Sequence, residues 1–527
     1  MRRNTIIKII ILAAFLIPVF ALSSWTAEKK ILRYGAIPQK INLDMYLNTI
    51  NDVMGISDHI IETLVRYDDD MVLRPLLIKE LPVPSKGGLV YRFELKPGIK
   101  FHDGSPLTVS DVKFSIEHMF YPSTGAAMNW VCDMIVGAKD MMDGKSNELS
   151  GFKIIDDLTF EITLEYPYAP FLSALATSYT GIYPEKAFKE AGKDWGLKTF
   201  LGTGPFKVTV LDIDTGVITE RFEDYHGEKP KLDGIEFIFI DDTNTRIMEY
   251  ERGNLDVVEL PATLYPEYSK DDRFASQIGE FTPMGTIFIC PNNSVPELGS
   301  AKVREALSYA VDREMLARDL MKGTAKPATT FLTPGMMGYN KDAPAYEYNI
   351  EKAKILLAEA GFPDGFSVEG IIRNTHMSTQ AGRTLLALQN QLKSIGVDLT
   401  ITQVDSATWV EMRAANKIQL YIGTWYADFP DPDGFVYSLL HSSNSPRLSS
   451  SYNSPEFDRL LDEARAISDN EKRDEMYRQA DNLATRVDYA VIPLYNETLY
   501  YMAKPYVKNF KMSPVYIFHF FNADIEK

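Results

Sequence analysis

The sequence predicts an α/β protein built as two lobes, and three observations carry that expectation. Between Lys30 and about Leu260 short β-rich runs alternate with isolated helices, whereas the second half strings amphipathic helices together with short strands between them. The 527 residues exceed one compact core at roughly 150 residues per domain, and 28 Phe, 28 Tyr and 5 Trp supply bulk for several. No internal repeat, low-complexity tract or long polar linker separates the two regions, so short extended crossings should join them. The lobes should then move as rigid bodies.

The first element is not part of the fold. Arg2, Arg3 and Lys8 precede the uncharged apolar run Ile9–Leu22, and Ala21-Leu22-Ser23 offers small residues where a signal peptidase reads. The run contains Pro18 and falls short of the roughly 20 residues that span a bilayer. Residues 1–23 are therefore expected to be a cleaved secretory signal peptide. No cysteine follows the run to take a lipid anchor, and no later stretch is apolar enough for a span. The mature chain is expected to be soluble, in the periplasm or otherwise secreted.

Along the first region, Leu89–Leu95 alternates as a half-buried strand should. Thr108 and Asp111 have capping-box spacing, and Val112, Ile116, Met119 and Phe120 then recur on one helical face. Strands are expected at Phe152–Ile155, Thr159–Leu164, Phe206–Leu211 and Gly234–Ile240, the third introduced by the turn residues Gly202-Thr203-Gly204-Pro205. In the second region helices are expected over Val303–Val311, Ile350–Ala360, Thr379–Leu392, Ser454–Ile467 and Glu471–Val487. Ser454 and Pro455 suit an N-cap and first helical position, and Gly361 suits a C-terminal stop.

Composition excludes several functions. With 55 Lys and Arg against 72 Asp and Glu, the net charge of −17 repels polyphosphate backbones and anionic lipid, which argues against nucleic acid as a partner. Cys132 and Cys290 fit neither a redox pair nor a zinc site, and either two free thiols or one disulfide satisfies the sequence. No G-x-S-x-G, H-E-x-x-H or P-loop occurs, which argues against an enzyme. His102-Asp103 reads as a structural turn between Gly98 and Gly104. The seven histidines are scattered, so no metal centre or cofactor is expected; His376 alone merits a test.

The segment Leu95-Lys96-Pro97-Gly98-Ile99-Lys100-Phe101-His102-Asp103-Gly104-Ser105-Pro106-Leu107-Thr108-Val109-Ser110-Asp111-Val112 resembles the hallmark of the large dipeptide- and oligopeptide-binding proteins of bacterial ABC importers, extracellular solute-binding protein family 5. The likeness continues through Gly202–Lys207, Asp224–Asp233, Val303–Glu314 and Asp428–Asp433, spread over about residues 30 to 510 in the family's order. The chain departs from the usual pattern at His226, where tryptophan is common, and at Val109, where alanine is common. The resemblance implies a two-lobed periplasmic-binding-protein fold of the type II-like, large peptide-binder cluster. It implies a first lobe over 24–285 with an inserted subdomain at about 70–190, a second lobe over 286–494, and a return of 495–527 to the first. It further implies a monomer that captures peptides and delivers them to the permease subunits of an ABC importer.

A peptide carrier must hold an ammonium, a carboxylate and a backbone while tolerating side chains. The resemblance makes Asp428 the partner of the ligand's ammonium; the residues alone favour a turn cap in an acidic turn with Asp431 and Asp433. Trp425, Tyr426 and Phe429 flank it as candidate walls, and core packing is the competing reading for each. In an extended segment Trp425 and Tyr426 point to opposite faces, so only one faces the cleft, and Trp425 is preferred. Arg373, after the short strand Val368–Ile372, is a candidate for the ligand's carboxylate or an ordinary surface arginine. A binding protein for oligosaccharide or a nickel chelate, or an exported hydrolase, are the alternatives.

Overall fold

The computed structural model describes residues 29–37, 42–47, 51–126, 128–515 and 518–527. The expected signal peptide and its cleavage site lie outside the described residues. Two large sheets organise the rest. The first has strand order Ile278–Phe281, Leu499–Ala503, Val257–Leu260, Ile31–Ala36, Gly234–Phe239, Gly216–Arg221 and Phe206–Asp212. Its centre is parallel, Ile31–Ala36 pairing in that sense with both neighbours. Parallel strands are covered on both faces, and Leu32, Tyr34, Val257 and Val258 are buried accordingly. Asp256 ties this centre together: it accepts the Arg33 backbone N–H at 2.8 Å, its guanidinium at 3.0 and 2.6 Å, and the Tyr506 hydroxyl at 2.6 Å.

The second sheet runs in the order Ala325–Pro327, Ile492–Glu497, Gly285–Pro291, Leu420–Tyr426, Phe366–Arg373 and Val397–Val404. The period-two geometry of Gly285–Pro291 divides its side chains between two cores. Ile287 and Ile289 pack with helices Ala301–Tyr309, Ile350–Glu359 and Gln380–Lys393 on one face. Phe288 and Cys290 pack with helices Pro455–Ala466 and Asn470–Asn482 on the other. Ser454 caps the first of that pair with its hydroxyl and Pro455 opens it. Arg373 proves to be the last residue of its strand rather than a residue beyond it.

A smaller antiparallel sheet, Val90–Glu94 with Thr159–Thr163 and Phe152–Ile154, forms the body of the region between the early strands of the first sheet. Helix Val109–His118 follows, and both halves of the Thr108–Asp111 capping box are made. His102 is a structural pin. Its Nδ1 accepts the Gly202 N–H at 3.2 Å, which leaves Nε2–H to donate to the Gly204 carbonyl at 2.9 Å. Burial pushes its pKa down to about 4. The two glycines are required there, since a Cβ on either would stand 2.4 to 2.7 Å from the carbonyl oxygens of Ile60 and His59. Both cysteines are buried free thiols.

The chain passes between the sheets twice. Residues 282–284 lead from Ile278–Phe281 into Gly285–Pro291, and Thr498 alone lies between Ile492–Glu497 and Leu499–Ala503. The strands on either side pair antiparallel with each other in both sheets, so the crossings run side by side. After the second crossing the C-terminal segment packs Phe510, Phe518 and Phe520 into a cluster with Tyr34 and Phe237 of the first sheet and with His59, which follows helix Asn51–Ser57. Phe520→Ala, at a fully buried position in this aromatic cluster, should lower unfolding free energy by about 3 to 5 kcal/mol. Urea denaturation measures it, and a loss below about 1 kcal/mol would show that this packing does not support the first lobe.

Candidate functional site

Strand Leu420–Tyr426 ends at the lobe boundary. The Ala427 N–H still donates to Met284 at 2.8 Å, extending the pairing by one step, and Pro430 and Pro432 then prevent its continuation. The loop carries three aspartates with different fates. Asp431 receives Arg473 on both carboxylate oxygens at 2.9 and 2.8 Å, in a pair that is 4% and 8% exposed. Asp433 accepts from Arg465 at 3.1 Å, from Tyr168 at 2.8 Å and from Tyr477 at 3.3 Å. Both therefore hold the loop to helices Pro455–Ala466 and Asn470–Asn482.

Asp428 is not held in that way. Among the described residues its one hydrogen bond comes from the Tyr179 hydroxyl of the first lobe, at 3.4 Å. Burial raises its pKa to about 6, only partly opposed by that tyrosine. It faces a cavity of about 260 Å³ whose wall comes from both lobes: Asp58, Glu62, Arg66 and Thr177 from one side, Asp428 and Phe429 from the other. Asp58 is likewise raised to about 7 by burial, with the Ser178 hydroxyl 2.5 Å away.

A second cavity of about 490 Å³ also opens between the lobes, lined by Trp425, Arg413 and Arg465 from the second and by Trp130, Tyr166 and Tyr168 from the first. Its donors are conspicuous. Among the described residues neither the buried Trp425 Nε1–H nor Nε of Arg465 has a hydrogen-bond partner. Arg465 sits 3.6 Å over the Tyr437 ring and 4.9 Å over that of Tyr168. Arg413 lies 4.6 Å over Trp409.

The five candidates from sequence therefore separate. Phe429 is 2% exposed, packs into the first lobe's core and stands 6.5 Å from Trp130, between the two cavities. Trp425 and Tyr426 take opposite faces: the Tyr426 hydroxyl bonds Glu497 within its own sheet and reaches neither cavity. Arg373 lines neither cavity; it lies 4.8 Å over Trp409, on the same ring as Arg413. His376 bonds Thr375 at 3.0 Å. Sequence reasoning missed Asp58 and Tyr179, which lie far along the chain from Asp428, and Arg413 and Arg465, which are nearer in sequence but sit in helices with nothing local to distinguish them from surface arginines. Among the described residues no group of three His, Cys, Asp or Glu could hold a metal ion, and no helix is long and apolar enough to cross a membrane.

Known proteins agree with this architecture. The dipeptide-binding protein of Escherichia coli K12 is 28% identical over 459 residues, 84% of each chain. Heme-binding protein A of Haemophilus influenzae is also 28% identical over 459 residues, covering 84% of this chain and 82% of its own. Among solved structures, HbpA2 of Haemophilus parasuis superposes with a TM-score of 0.80 at 25% identity, over 94% of this chain and 100% of that one. DppA of Helicobacter pylori in complex with the peptide STSA gives 0.79 at 24% identity, over 94% and 98%, which speaks for the two-lobed fold. Residues 72–447 match the family model of bacterial extracellular solute-binding proteins, family 5 middle region. With that match over most of its length, the chain belongs to the family 5 extracellular solute-binding proteins.

Proposed function

We propose that the chain captures peptides between its lobes, outside the cytoplasm, and delivers them unconverted to the permease of an ABC importer. The observation that carries the reading is Asp428: a carboxylate enclosed between two lobes, held by one long tyrosine bond while its neighbours Asp431 and Asp433 are paired with arginines. A peptide ammonium supplies the missing cation. A neutral oligosaccharide would leave the carboxylate unpaired. The unpartnered donors of Trp425 and Arg465 and the guanidinium of Arg413 suit the acceptors at a peptide's other end. Arg373 acts in this reading through the shared Trp409 ring, which it and Arg413 both contact.

Asp428→Asn keeps the shape and removes the charge. It should cost a free-amine peptide about 3 to 5 kcal/mol, or roughly two to four decades in Kd. An N-acetylated peptide should bind the wild type weakly and lose much less, so calorimetry on both proteins with both peptides isolates the charge pair. Equal binding of the free-amine peptide by the folded variant and the wild type would remove the ammonium anchor.

The same assignment sets a pH dependence. Asp428 in the free protein is raised to about 6, and a bound ammonium favours its ionised form, so the complex has the lower pKa. Affinity should therefore be full above about 6 and fall as pH drops through it, approaching one decade per pH unit. Above the ordinary α-amino pKa of about 8 the ligand itself loses its charge. A flat profile between pH 5 and 7 would contradict the assignment. Incubated peptide should be recovered intact; product formed in proportion to purified protein would restore a hydrolase.

A further inference from the structure

The cavity that Asp428 faces contains a second carboxylate whose position the peptide-capture reading does not yet use. Asp58 follows helix Asn51–Ser57 on the first lobe and lines the same space. The two carboxylates thus come from opposite lobes and meet across one enclosure. The Tyr179 hydroxyl donates to Asp428 and the neighbouring Ser178 hydroxyl donates to Asp58. Burial of each carboxylate in this space opposes its ionisation unless positive charge enters with it.

Among the described residues no lysine or arginine pairs with either carboxylate. His519 Nε2 is 3.9 Å from Asp58, but burial holds the imidazole down near 4, so it is neutral at ordinary pH. Arg66 shares the wall and stacks 5.4 Å over Phe521 instead of pairing with either carboxylate. The other buried acid of this wall, Glu62, is already engaged by Tyr225 at 2.7 Å, His226 at 2.6 Å and Thr203 at 2.8 Å. Ile61, Leu76 and Ala176 give the same wall apolar parts. A methylene stem ending in a charge suits such a wall.

We propose that Asp58 is a second anchor for positive charge and that the preferred ligands are peptides whose first residue is lysine or arginine. The α-ammonium pairs with Asp428 of one lobe while the side-chain cation reaches Asp58 of the other, so a single residue bridges the lobes. This inference rests on the peptide reading, and the test separates the two.

Calorimetry compares Lys-Ala-Ala with norleucine-Ala-Ala, which keeps the stem and lacks the side-chain charge, on wild type, Asp58→Asn and Asp58→Glu. The wild type should bind the lysine peptide roughly tenfold to a hundredfold more tightly, the range for one charge-assisted contact. Asp58→Asn should abolish most of that preference while leaving the norleucine peptide within about threefold, and Asp58→Glu should retain part of it. Equal affinity of the wild type for both peptides overturns the inference and leaves peptide capture standing, a result that does not depend on the variants folding. A preference that survives Asp58→Asn overturns the assignment to Asp58. If the wild type binds neither peptide, the peptide reading fails and the inference with it.

Discussion

Thr498 is the one residue between strand Ile492–Glu497 of the second sheet and Leu499–Ala503, one strand in from the edge of the first, and a three-residue crossing runs beside it. Two adjacent strands that leave one sheet and enter the next this quickly have little freedom to twist independently. The backbone between the two sheets is limited to residues 282–284 and 498, and the candidate site lies beyond this ribbon, where residues of both lobes line one cavity. The Thr498 N–H is itself spent on the Thr324 carbonyl at 2.8 Å, so even the single crossing residue is anchored to the second lobe.

From that constraint the contacts across the cleft follow. The strand ending at Tyr426 delivers the Ala427–Asp433 loop to the first lobe, where Phe429 enters an apolar core, Asp433 receives Tyr168 and Asp428 meets Tyr179. Farther from the crossings, the Ala169 N–H donates to the Arg465 carbonyl at 2.7 Å, and the Arg465 side chain lies over Tyr166 and Tyr168. Aromatic and charge-assisted contacts thus line the boundary along this loop. The exception is the carboxylate of Asp428, which loses solvent without gaining a cation. In the proposed reading, a ligand with a positive end would supply the missing cation and so favour the arrangement in which both lobes contact it.

The three aspartates of this loop show why charge count alone says little about a site. Asp431 and Asp433 are desolvated as well, but Arg473 and Arg465 from neighbouring helices compensate them. Pairing makes them structural. The same residue type three positions earlier has no such partner, and its environment rather than its identity makes it a candidate for ligand chemistry.

Local signals in the sequence were sufficient for the elements they govern. Alternation marked the strand at Val90–Glu94, the Thr108–Asp111 pair marked a helix start, and Ser454-Pro455 marked another, because these depend on residues within one turn or one pleat. Where no local stop exists the reading ran long: Glu471–Val487 looks like one helix, whereas the α-helix ends at Asn482 and a π-helical turn takes over Leu483–Val487. Periodicity also determined that Trp425 and Tyr426 part company, since consecutive strand residues face opposite ways. Which of them meets the cleft was a tertiary matter, decided by Glu497 holding the Tyr426 hydroxyl. So was the pairing of Asp428 with Tyr179, 249 residues away, and the gathering of Asp58, Arg413 and Arg465 at the lobe boundary. Sequence order carries backbone propensity and face, both short-ranged; the loss of water that raises Asp428 and Asp58 exists only once two distant lobes close over them.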